Sequence, residues 1–209
     1  MSNKITNLKE KFKLALSSTA KVIADDFELN PKSPEKKTKD LISLEVLELN
    51  NPSDFIRLRA ETDSAALKKK FSNNAVYKKN LPSNNSSKSL YNIAEKIRYE
   101  VLGGKMLKGV EKNFNENYTQ IINQKKKDQL KTKDDVSILE AFELYMLKNF
   151  HKIKLNSLTS RMLNFWEKDF NKSIDKHMKF LQENLRDQNK YSSRFSKILK
   201  EMDIFQNQD

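Results

Sequence analysis

The sequence predicts a mainly α-helical, multi-helix domain. Apolar residues recur every three to four positions along most of its length, glycine and proline number only three and four in 209 residues, and one short segment alone alternates in the manner of a strand. That segment leaves room for a small β-hairpin near the N-terminus. An apolar content of 37% can supply a core for one or at most two domains, and residues 1–209 read as a single helical domain. No internal repeat is visible. The absence of cysteine excludes disulfides, thiolate metal sites and a cysteine nucleophile. No apolar run approaches the roughly 20 residues a membrane-spanning helix needs, and the first residues lack an apolar leader segment, so the expected location is cytoplasmic.

Taken in order, Ile5, Leu8, Phe12, Leu16, Thr19 and Ile23 share one face of a first helix from about Thr6 to Asp25. Asn30-Pro31 and Ser33-Pro34 punctuate a flexible stretch at about 30–40. The run Leu41 to Leu49 alternates, and its β-branched residues favour a strand paired with Phe27 to Leu29. Asn51-Pro52-Ser53-Asp54 looks like a helix start with Ser53 as cap, and that helix carries Phe55, Leu58, Thr62, Ala65, Ala66 and Leu67 to about Phe71. Pro82 and a serine run make 80–89 a second flexible segment. Leu90, Ile93, Ile97 and Val101 then form a helical stripe. Residues 125–135 are almost devoid of apolar side chains and read as a third flexible segment, ending in an Asp134 or Asp135 cap. Ile138, Leu139, Phe142, Tyr145 and Met146 define the next helix, and a stripe from Trp166 through Phe170, Ile174, Met178, Leu181 and Leu185 continues to Phe195, Ile198, Leu199 and Met202.

The net charge of +12 raises nucleic acid as a partner, since lysine and arginine release counterions on binding phosphates. Yet 34 of the 40 basic residues are lysine, mixed with acids on most segments; Lys68-Lys69-Lys70 and Lys125-Lys126-Lys127 are the clusters. A solvated surface is the favoured reading. No P-loop, dinucleotide fingerprint or nucleophile elbow occurs, His151 and His177 lack any ligand spacing, and the pairs Asp25-Asp26 and Asp134-Asp135 read as helix termini. Catalytic, cofactor-binding and metal-ligating residues are therefore assigned to none.

One stretch is more specific: Glu95-x-x-Arg98-x-Glu100-x-x-Gly103-x5-Gly109-Val110-x-x-Asn113-Phe114. Glu95 and Arg98 stand one helical turn apart, a pairing worth only about 0.2–0.5 kcal/mol when exposed. Glu100 projects about 200° further round from Arg98, so one carboxylate must look elsewhere, to another helix or to a partner. Gly103 and Gly104 each cost about 1 kcal/mol inside a helix and so either end it or admit close approach; Gly109 poses the same choice. No strand precedes these glycines and no Gly-Lys-Ser/Thr follows, which favours a tight helix crossing over a phosphate cradle. If the helix continues, Leu102, Met106, Val110 and Asn113 share a face, with Asn113 placed to cap or cross-link neighbouring segments.

The stretch from Glu95 to Phe114 resembles the N-terminal region of CobT, the von Willebrand A type subunit of aerobic cobaltochelatase, which reads approximately E-x-A-R-V-E-A-x-G-x5-G-V-x-x-N-L. Phe12-Lys13-Leu14-Ala15 is similar to the family's F-K-x-A, Asp63-x-x-Ala66-Leu67 to D-A-x-A-L-R, Leu81-Pro82 to L-A-P and Leu163-x-x-Trp166 to L-x-D-L-W. The resemblance implies an accessory scaffold subunit of the ligase that forms nitrogen–metal bonds by inserting cobalt into hydrogenobyrinic acid a,c-diamide in cobalamin biosynthesis. It also implies two partners, a CobS-type AAA+ ATPase and a CobN-type large chelatase subunit, with ATP, Mg2+ and Co2+ used by the complex rather than held by this chain. Glu95, Arg98, Glu100, Gly103, Gly109 and Asn113 become the interface or structural signature.

Two departures qualify what carries over. Where the family shows H-D-x-x-L-H, this chain has Ser72-Asn73-Asn74-Ala75-Val76-Tyr77, so no role of those histidines transfers. The family continues through an acidic linker into a von Willebrand A domain; this sequence ends at Asp209, which implies an N-terminal fragment or a reduced homologue lacking the Mg2+-dependent coupling contact. The rival readings are a basic helical nucleic-acid-binding protein and an adaptor of a CobS-like AAA+ ATPase acting on a non-corrin substrate.

Overall fold

The computed structural model describes residues 2–29, 49, 51–126 and 130–202, with side chains from Asn7 onward. They form helices α1 (Ser2–Ala24), α2 (Pro52–Phe71), α3 (Asn74–Asn80), α4 (Asn85–Met106), α5 (Lys108–Gln124), α6 (Ile138–Met146), α7 (Ser157–Glu183) and α8 (Gln188–Glu201). Among the described residues there is no strand, and no helix is long and apolar enough to cross a membrane. Residues 27–29 make a turn after α1, with the Leu29 amide donating to the Asp26 carbonyl at 3.3 Å. Their expected strand partner, 41–48, lies outside the described residues, as does the expected flexible segment at 30–40.

Asparagine starts several of these helices. Asn51 accepts from the Asp54 amide while Asp54 accepts from the Asn51 amide, a reciprocal cap that displaces Ser53 from its expected role. Asn73, Asn84 and Asn156 cap α3, α4 and α7 in the same sense. The Asn84 cap corrects the expected flexible segment at 80–89: the serines of 85–89 are the first turns of α4, with Ser87 buried, and only 81–84 connect α3 to α4. Within 125–135, Thr132 and Asp135 close a single 3-10 turn, and the cap of α6 is Ser137 rather than either aspartate. The long C-terminal stripe is two helices, broken at 184–187 where Asp187 caps α8.

Helix α4 is the axis of the fold, packing against α2, α5, α6 and α8, while α1 crosses α2. Its deepest side chains are Leu90, Tyr91, Ala94, Ile97, Arg98 and Glu100; Ile93 and Val101, expected in the stripe, pack at its margin. On α1 the inward face is Leu16, Ala20, Ile23 and Ala24, whereas Leu8 is 63% exposed and Thr19 also faces outward. Phe12 and Phe55, with ring centroids 4.9 Å apart, seal a small cluster around Leu16, Leu49 and Leu58 where α1 meets α2. After α6 the backbone widens into a π-turn over Leu147–His151 and ends at Lys152 in the left-handed region, φ 60°. That turn carries His151 back toward α4.

The glycines divide into two kinds. Gly103 and Gly104 lie inside α4 and do not end it; a Cβ on Gly103 would overlap the branched end of Leu67, and one on Gly104 would sit 3.3 Å from the Glu111 Cβ. They let α2 and α5 approach α4. Gly109 has open space around it, because α4 ends at Met106 and α5 begins at Lys108, so the expected continuous helix and tight crossing at Gly109 do not occur. Met106 accordingly is 43% exposed. Gly103→Ala should lower stability by about 1–3 kcal/mol through overpacking against the fully buried Leu67, whereas Gly109→Ala should raise it by about 0.4–1 kcal/mol by restricting the unfolded chain. Urea denaturation of the two variants checks the opposite signs, and Leu67→Ala combined with Gly103→Ala should cost less than the two separate losses added together.

Candidate functional site

The signature residues converge inside the protein. Arg98 is fully buried in the middle of α4, and its guanidinium reaches three separate elements. Nη2 donates to the Phe71 carbonyl at 2.9 Å and to Ser72 Oγ at 3.3 Å, at the end of α2. Nη1 donates to the Leu185 carbonyl at 3.1 Å, just beyond α7. Nε donates to Glu95 Oε2 at 3.2 Å, one turn back on α4. The Phe71 carbonyl, in the last turn of α2, lacks an intrahelical donor and carries the negative end of the helix dipole, so the buried cation satisfies it together with the Leu185 carbonyl of the segment after α7. Glu95 is completed by α8: Gln188 Nε2 donates to Oε2 at 3.1 Å and Ser192 Oγ to Oε1. Gln188 Oε1 in turn accepts the Asn73 amide at 2.6 Å at the start of α3.

Glu100 faces the other way, as its angular offset from Arg98 requires. It is 1% exposed, and it accepts from Ser64 Oγ on α2 and from the Tyr118 hydroxyl on α5, each at 2.6 Å. His151 Nε2 lies 3.4 Å from Glu100 Oε2, within Coulombic reach but outside hydrogen-bond geometry. Burial opposes ionisation of Glu100, but the adjoining His151 ring, the Lys96 charge and the Ser64 hydroxyl outweigh it and hold the carboxyl below its ordinary range. Tyr118 is shifted the opposite way, pushed well up by burial and by the Glu100 carboxylate it donates to.

Asn113 cross-links α5 to α2: its Nδ2 donates to Asp63 Oδ2 at 2.6 Å, and Arg59 donates to its Oδ1 at 3.4 Å. Asp63 is 1% exposed with Oδ1 unpartnered, and burial raises its carboxyl despite Asn113 and Arg59. Of the six signature residues, five thus act between helices and Gly109 stands outside on the surface. Ser64, Lys96, Tyr118, His151, Gln188 and Ser192 complete the site and were not read from sequence as parts of it. Their separation explains this, since Gln188 and Ser192 stand 93 and 97 residues from Glu95. His177 is elsewhere, its Nδ1 3.2 Å from Arg194 Nη1, and burial together with that guanidinium lowers its pKa.

Against this polar layer, two neighbouring cavities of about 680 and 320 Å3 share walls of Ala65, Lys68, Lys96 and Tyr99, and Glu61, Glu95 and Glu100 line them as well. Among the described residues no three histidine, cysteine or acidic side chains are grouped to hold a metal ion.

Replacing Arg98 by alanine leaves the Glu95 carboxylate buried and the Phe71 and Leu185 carbonyls without this donor, and should cost about 3–5 kcal/mol in urea unfolding at neutral pH. Arg98→Lys should recover little of this, lacking the planar fork that serves three directions. The depressed Glu100 carboxyl contributes stability above its unfolded value near 4.5, and that contribution is lost as pH falls through the folded value. Glu100→Gln should therefore flatten the loss of melting temperature below about pH 4.5, while Asp63→Asn, which removes a raised carboxyl of opposite sign, should steepen it.

The model of one family, Cobalamin biosynthesis protein CobT, matches residues 6–209, nearly the whole chain and every element of this network. No curated protein and no solved structure matches. With that match the chain belongs to the CobT family of cobalamin biosynthesis proteins.

Proposed function

We propose that residues 1–209 form a single helical domain that serves as a non-catalytic scaffold subunit of a cobaltochelatase, the ligase that inserts cobalt into hydrogenobyrinic acid a,c-diamide. Its AAA+ ATPase partner docks at the surface around the signature helix, and a CobN-type large subunit holds the corrin. The family match supports the pathway, and the engagement of Glu95 and Glu100 by Arg98, Gln188, Ser192, Ser64 and Tyr118 supports a scaffold rather than a chemical role.

The observation that carries the docking surface is the α4–α5 corner. Three consecutive residues, Met106 at 43%, Leu107 at 40% and Lys108, are exposed there next to the open Gly109, directly beyond the buried half of the signature. An exposed apolar pair rimmed by charge is the form a partner contact takes. The lysine clusters offer less to nucleic acid: Lys69 and Lys70 pair with Asp26 and Asp25, and Lys125 with Glu140 at 3.0 Å.

Size exclusion with light scattering at about 150 mM salt, where the Debye length is near 8 Å, tests the reading with this chain, the CobS-type ATPase and ATP together. A stable co-complex is expected, and Leu107→Asp should weaken it at least about tenfold, the scale of one lost apolar anchor, without lowering the melting temperature. Separate elution of the wild-type chain and the ATPase would contradict it.

A further inference from the structure

We propose that the outer face of α1 is a self-association surface on which two copies of this chain pair antiparallel, with the two-fold axis at Ser18. The scaffold reading makes no use of this face, and the inference stands apart from it.

Helix α1 lies at the margin of the fold and packs on α2 by the face that carries Leu16, Ala20, Ile23 and Ala24. The opposite face is exposed and still partly apolar. Leu14 is 69% and Val22 62% exposed there, and Leu8 and Phe27 stand exposed toward the two ends. Exposed apolar side chains gathered in this way mark a contact surface.

The pattern of the face identifies its occupant. At 100° per residue, Lys11, Leu14, Ser18, Val22 and Asp25 fall within an arc of about 80°, and all five are exposed. Their spacing is symmetric about Ser18: each apolar side chain stands four residues away, and each charge, of opposite sign, seven. Turned end over end, the face fits itself. Lys11 of one copy comes level with Asp25 of the second, about 10 Å from the axis, and Leu14 with Val22, about 6 Å from it. Ser18 and the exposed Ala15 supply small side chains at the crossing, which let two helices approach to about 8 Å. The contact Asp25 already makes is a long one: its Oδ2 lies 3.9 Å from Lys70 Nζ, and its side chain stays 78% exposed. A lipid or nucleic-acid surface would select a uniformly positive face, which Asp25 interrupts. A contact of this symmetry is isologous and closes at two copies.

One helix against another is a small interface, so the dissociation constant is on the order of 10–100 µM. Sedimentation equilibrium of the chain alone, from about 5 to 500 µM at about 150 mM salt, should show a reversible monomer–dimer equilibrium. Lys11→Glu and Asp25→Lys should each weaken it about three- to tenfold, and the two together should restore it to within about twofold. Leu14→Glu should weaken it at least about tenfold while the melting transition is retained. Because the chain has no cysteine, Ser18→Cys also marks the axis directly: a short bismaleimide should join two copies of that variant, and should couple Thr19→Cys, exposed but about 100° round the helix, far less. A chain monomeric throughout would overturn the proposal and leave the face to an occupant other than a second copy. A dimer indifferent to Leu14→Glu, no rescue by the double charge exchange, or equal coupling of the two cysteine variants would overturn it as well. No ATPase enters these measurements, so their failure leaves the scaffold reading untouched.

Discussion

A single fully buried guanidinium constrains the rest of the molecule. Arg98 cannot be withdrawn from water without a complete set of acceptors, because an unmatched buried charge costs several kcal/mol. It finds them only when the end of α2, the segment after α7 and the carboxylate of Glu95 stand around it at once. Those three conditions place α2, α7 and, through Glu95, α8 around α4. Apolar burial supplies the larger driving force, but it is non-directional, and a bundle of lysine-rich amphipathic helices has many ways to bury leucine and phenylalanine. The guanidinium selects one of them.

Glu100 continues the same logic toward α5 and the π-turn. Its two oxygens are filled by hydroxyls from α2 and α5, and the widened turn after α6 brings His151 alongside. Together with the Asp63–Asn113 bridge, these contacts form a polar layer through an otherwise apolar interior, with Gly103 and Gly104 removing the side chains that would hold the helices apart. The charged members of the signature thus work inward. What the signature leaves exposed is its outer end, the Met106–Leu107 corner.

Periodicity made the helices legible, since α2 and α6 coincide with stripes in the sequence and the long C-terminal stripe runs over α7 and α8 without showing the break between them, and the offset between Arg98 and Glu100 was enough to send them to different faces. Other features were hidden for identifiable reasons. The serine run before Leu90 suits a loop and the first turns of a helix equally, because serine hydrogen-bonds locally in both, and the Asn84 cap decided between them. Asn51 displaced Ser53 because its side chain sits two residues earlier, three before Asp54, where the two can reciprocate. Leu8 looked inward on spacing alone; the crossing with α2 begins later, at Phe12 and Leu16. Gly109 resembled Gly103 in sequence, but the break at Leu107 separated them. Gln188, Ser192 and His151 lie far along the chain from the acids they meet, and no spacing rule links them.

The most direct test of the inward-acting signature is hydrogen exchange at the Arg98 Nε–H, observed by NMR with selectively labelled arginine. A guanidinium locked between Glu95 and the carbonyls of Phe71 and Leu185 should exchange no faster than global unfolding allows, in step with the most protected amides of α4. Exchange at the rate of a solvent-exposed arginine, while α4 amides remain protected, would show that the guanidinium does not hold these helices together.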